Sequence, residues 1–100
     1  MSNSNIQSVT KTADGHAVAG RTRVVGIYYS CTDTASSFTL KNGSTSGGTA
    51  QVTINTPAAK SSQYMLISDM GVLFETGVFI DVADVNVLSV TLFFYGGAAQ

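Results

Sequence analysis

Reactive side chains are scarce in this sequence, and their spacing limits the chemistry they could do. His16 and Cys31 are the only histidine and the only cysteine. A thiolate nucleophile needs an imidazole beside it and a carboxylate to orient that imidazole. Only Asp14 is near His16 in sequence, within a run of small residues, and Cys31 reads as a small, half-buried residue at a strand end. One His and one Cys make neither a zinc ligand set nor a Cys-x-x-Cys pair. A lone cysteine also cannot close an internal disulfide, so the fold needs no oxidising compartment.

The carboxylates Asp14, Asp33, Asp69, Glu75, Asp81 and Asp84 are dispersed. Asp81 and Asp84 could meet a calcium ion in a loop, with a carbonyl lent by residues 68–71, but no EF-hand spacing is present. Aspartates at such positions ordinarily bond their own backbone in turns. Residues 43–48, Gly-Ser-Thr-Ser-Gly-Gly, look like a phosphate loop but lack the lysine and helix that make one work, so they read as a hairpin tip. Serines are plentiful, yet none sits in a nucleophile elbow. The expectation is a protein that is not an enzyme, with no metal and no cofactor.

Charge points the same way. Only 11% of residues are charged, the formal net charge is -1, and the five basic residues are spread along the chain. Phosphate backbones are gripped by clustered Lys and Arg; Arg21 and Arg23 alone come close, and they read as two same-face charges at the exposed start of a strand. Nucleic acid is therefore not an expected partner. The stretch 78–94 is interrupted by Asp81, Asp84 and Asn86, so no window spans a bilayer. The polar amino terminus is neither a signal peptide nor an anchor, and no membrane association is expected.

The elements that would position any site are strands. The strongest is 87–95, rich in β-branched and aromatic residues, with Leu88, Val90, Leu92 and Phe94 predicted inward and Phe93 and Tyr95 on the other face. Residues 21–30 form a second strong strand with Val25, Ile27 and Tyr29 inward; Gly26 in its middle marks a bulge or a close approach by a neighbouring chain or ring. Residues 38–41 and 49–55 read as a hairpin across the Asn42-Gly43 turn, with Phe38, Leu40, Ala50, Val52 and Ile54 inward. Pro57 ends the second of these strands. Further strands are expected at 63–67, 72–74 and 78–82.

Seven or eight short strands without helical periodicity predict an all-β fold, a two-sheet β-sandwich with jelly-roll or immunoglobulin-like wiring. Residues 1–20 are expected to be an N-terminal arm or edge strand and residues 21–100 the sandwich domain.

Two binding roles suit so uncharged a surface. In one, apolar sheet faces pack on copies of the chain or on a larger shell, through Ile6, Val9, Val18, Tyr28, Phe79, Phe93 and Tyr95. In the other, tyrosines stack on sugar rings while residues 31–37 and 42–48 bond their hydroxyls, so a glycan is a possible partner.

The segment Arg23-Val24-Val25-Gly26-Ile27-Tyr28-Tyr29 resembles short β-rich virion structural proteins of tailed marine bacteriophages. The resemblance extends through Phe38-Thr39-Leu40-Lys41-Asn42-Gly43, Thr53-Ile54-Asn55-Thr56-Pro57, Gly71-Val72-Leu73-Phe74 and Val90-Thr91-Leu92-Phe93-Phe94-Tyr95-Gly96. It implies a structural role in the particle as a capsid decoration or cement protein bound to the major capsid protein or other virion proteins. The other role it implies is a fibre or knob component acting as a glycan-binding host adhesin. The expected protein is a homo-oligomer, a trimer, made in the host cytoplasm and carried in the virion.

Overall fold

The structure, a computed structural model, describes residues 6–67 and 70–100. Eight strands follow in order: β1 (Gln7–Lys11), β2 (Gly15–Cys31), β3 (Ser36–Asn42), β4 (Thr49–Thr56), β5 (Ser61–Leu66), β6 (Val72–Phe74), β7 (Gly77–Val82) and β8 (Val87–Ala99). The predicted all-β class and strand number hold, and there is no helix among the described residues. Hydrogen bonding joins all eight into one antiparallel sheet in the order β1-β8-β2-β7-β3-β4, with β5 and β6 also paired to β2.

β2 is the hub. One side of it runs along β8, and the other meets β7 at Gly15 to Ala19, β6 at Thr22 to Val24 and β5 at Gly26 to Cys31. Residues 15–20, expected to belong to an arm, are the first part of this strand, so the boundary placed after residue 20 falls inside β2. The edge-strand expectation fits β1, which pairs residue by residue with β8.

The sheet folds over on itself. Its β1-β8-β2-β5 half and its β7-β3-β4 half enclose one core that contains Val24, Ile27, Tyr29, Leu92 and Phe94 from the first and Phe38, Leu40 and Ile80 from the second. Tyr29 and Phe38 meet across it edge to face, with ring centroids 5.5 Å apart, a favoured arrangement for aromatic pairs. The ladder between β2 and β8 slips by one residue between Ala19 and Thr22. Gly20, Gly96 and Gly97 supply positive φ there. A Cβ on Gly97 would lie 2.5 Å from both Thr22 Oγ1 and Val18 Cγ1, so only glycine fits.

Two bulges reverse simple alternation. The register shifts between Val24 and Gly26, which turns Val24 into the core beside Val25 and Ile27. It shifts again between Ser30 and Cys31, opposite Leu88, so Val87 is buried and Leu88, predicted inward, is exposed.

Candidate functional site

The reactive residues do not converge. His16 and Cys31 lie at opposite ends of β2, about 50 Å apart along the strand contour. Asp14 Oδ1 accepts the Val82 N–H at 2.7 Å and so holds a turn. Cys31 is buried, with its Sγ 3.6 Å from the Ala59 carbonyl and from Ser61 Oγ. His16 Nε2 is buried without a hydrogen-bond partner, and its neighbours in the ladder are Phe79 and, beyond it, Lys41.

Asp81 and Asp84 are each engaged separately. Asp81 forms an ion pair with Lys41 at 2.7 Å. Asp84 accepts the Asn86 N–H at 2.9 Å and the Ser36 hydroxyl at 2.8 Å, which hold its carboxyl below the usual carboxylate range. It caps its own turn, as aspartates in such positions do.

The outer face of β5-β2-β8-β1 is different in kind. Across it, one row reads Tyr64, Tyr28, Thr91, Thr10 and the next Leu66, Gly26, Phe93, Ser8. Tyr28 is 39% exposed, Tyr64 56% and Leu66 77%. Gly26 is the reason the rings can meet. Without a side chain at that point, Tyr64 and Phe93 lean over β2 into an edge-to-face contact with centroids 5.9 Å apart. A Cβ on Gly26 would stand 3.2 Å from Phe93 Cδ2 and 3.3 Å from Tyr64 Oη. The close approach of a ring predicted at Gly26 is therefore present.

Hydroxyls frame this apolar centre. Ser30 and Ser62 share a hydrogen bond of 2.9 Å and Thr10 and Thr91 one of 2.7 Å. Arg23, opposite Tyr95 in the ladder, closes one end and donates to the Met70 carbonyl at 3.2 Å. Beside it Arg21, Thr22, Arg23, Tyr95 and Gly96 line an open groove of about 170 Å³. Sites for drug-sized ligands are about 300–1,000 Å³. The groove is too small to enclose such a ligand, and what the site offers is a flat, aromatic surface.

Of the residues assigned to an interface, Tyr28, Phe93 and Tyr95 come together on this face. Phe79 does not: it lies on the outward side of β7, next to Lys41 of β3. Val18 is wholly buried and presents no surface to a partner, while Val9 is half-buried and packs against the core. The assignment of Val18 is corrected, because the bulge between His16 and Val18 turns it inward, and alternation along β1 leans Val9 toward the core. Ile6 is exposed just ahead of β1.

Tyr64 and Leu66 were missed, although Ser62, Tyr64 and Leu66 alternate on an uncharged strand. The two loops proposed to share a glycan are also separated. Residues 31–37 and 42–48 flank the two ends of β3, whose seven residues span about 23 Å, so only an extended glycan reaches both.

No family model, curated protein or solved structure matches the chain.

Proposed function

We propose that this chain is a virion structural protein that works by binding, a capsid decoration or cement protein seated on the major capsid protein or another virion protein through the outer face of β5-β2-β8. The observation that carries the reading is that face. It groups Tyr28, Tyr64, Phe93, Tyr95 and Leu66, with Arg23 and Arg21 as charges at its end. Aromatic-rich patches with a polar rim and few charges are what protein interfaces bury at their centres. In this reading the folded-over sheet serves as the two-layer sandwich, with one layer turned to the shell and the other to solvent.

The test is co-sedimentation with heads assembled without the protein. The wild type binds, and Tyr28→Lys with Tyr95→Lys loses binding while keeping its far-UV circular dichroism. Equal binding by the double variant would sink the reading.

A second reading, a fibre or knob component that binds host glycans, draws support from the exposed tyrosines Tyr28 and Tyr64, side chains of the kind that stack on sugar rings. It predicts retention on a glycan array and no retention on heads.

A further inference from the structure

The open side of β5 carries a self-complementary register. Ile67 N donates to the Val25 carbonyl at 2.9 Å. Val25 and Ile67 continue the register in which Gly26 faces Leu66 and Tyr28 faces Tyr64. A bond made within a facing pair marks that pair as the hydrogen-bonded type, and in an antiparallel ladder such pairs recur at every second residue. Ser61, Gln63 and Met65 therefore spend their backbone groups on β2. The N–H and C=O groups of Ser62, Tyr64 and Leu66 point away from it, and among the described residues no strand takes them up.

Exposed edges are ordinarily guarded by lysine, proline or a bulge. β5 has none of these: Ser-Ser-Gln-Tyr-Met-Leu is uncharged, and its pairing with β2 runs without a shift. The other edges are protected. β1 is five residues long and ends in Lys11, whose Nζ donates to the Gln100 carbonyl at 2.9 Å. At β4, Gln51 is itself the extra residue of a bulge opposite Leu40 and Lys41, and its Nε2 reaches across to the Leu73 carbonyl at 2.8 Å on β6, an edge only three residues long.

We infer that β5 pairs with β5 of a second copy of this chain about a two-fold axis at Tyr64. The free groups sit at residues 62, 64 and 66, so the symmetric register they permit sets Tyr64 opposite Tyr64 of the partner subunit and Ser62 opposite Leu66 of the partner subunit, with about six backbone hydrogen bonds between chains. No like charges face each other in this register. An antiparallel strand paired with its own copy is isologous and closes at two, which makes this contact a dimer and not the expected trimer. The two aromatic faces then run on as one, with Tyr28 and Tyr64 of each copy in a single row. The pairing concerns the isolated protein and stands or falls separately from the virion reading.

Light scattering during size-exclusion chromatography of the wild type at micromolar concentration reads the mass directly. A dimer is expected. Tyr64→Lys sets two ammonium groups across the axis and weakens the dimer by roughly tenfold or more, with circular dichroism confirming the fold. Tyr64→Cys supplies the positive test. The facing Cα atoms of a hydrogen-bonded pair are about 5.5 Å apart, within the span of a disulfide, so the oxidised variant runs as a covalent dimer while buried Cys31 stays free. A monomeric wild type, a dimer indifferent to Tyr64→Lys, or a Tyr64→Cys chain that stays uncrosslinked would each overturn the proposal.

Discussion

The two outer surfaces of the folded-over sheet are made from the same kinds of residue and finished differently. On the β7-β3-β4 side the polar groups close on one another: Lys41 pairs with Asp81 and also donates to the Ser46 carbonyl at 2.8 Å, and Thr39 meets Thr53 at 3.2 Å. On the β5-β2-β8 side, hydroxyl pairs occupy the margin and the centre is given to rings and Leu66. The first surface is complete in water. The second leaves apolar area outside the core, where a partner gains most by covering it.

The largest expected effect tests whether the halves share one core at all. Phe38→Ala removes a fully buried ring that abuts Tyr29 and should cost about 3–5 kcal/mol by urea unfolding, in one transition. Two transitions would mean that the halves are separate units and that the comparison concerns two bodies.

Alkaline unfolding sharpens the same point from the other ring. Burial, and secondarily the nearby Cys31, raise the Tyr29 pKa above its ordinary value. The unfolded chain then ionises first, so stability is full below about pH 10 and falls as pH rises beyond it. Tyr29→Phe should flatten that fall; an unchanged slope would assign it to other groups.

The smallest effects separate the surfaces themselves. Asp81→Asn should cost about 0.5 kcal/mol, less at high salt, because the pair is partly exposed. Tyr28→Lys should leave stability within about 0.5 kcal/mol and act on binding alone. If Tyr28→Lys proves the more destabilising, the aromatic surface belongs to the fold and the contrast disappears.

Local pattern made much of this legible. The alternation of Val90, Leu92 and Phe94, the Asn42-Gly43 hairpin and the gap at Gly26 are all properties of neighbouring residues, and each appears as predicted. Bulges were not legible in detail, since one extra residue opposite a strand reverses every later side chain; Leu88 was misplaced for that reason. Nor does a sequence say which strands pair. The register that brings Tyr64 beside Tyr28 and separates Phe79 from Phe93 is fixed by contacts between distant segments. Residues 15–20 looked too small and weakly patterned for a strand of their own, and they are held in β2 by β7 on one side and β8 on the other.

Pairing β1 and β2 with β8 has a consequence in time. Residues 7–11 find their partners at 90–94, and the longest strand completes one whole side only with residues 87–99. Loops of that length close slowly, and sheets built on distant pairings are among the slower to fold. A nascent chain that has not yet synthesised β8 leaves β1 without its partner strand and one side of β2 unpaired. The sheet is therefore completed late, in a step that draws in both ends at once, and pulse-labelled amides of β1 and β8 should become protected together.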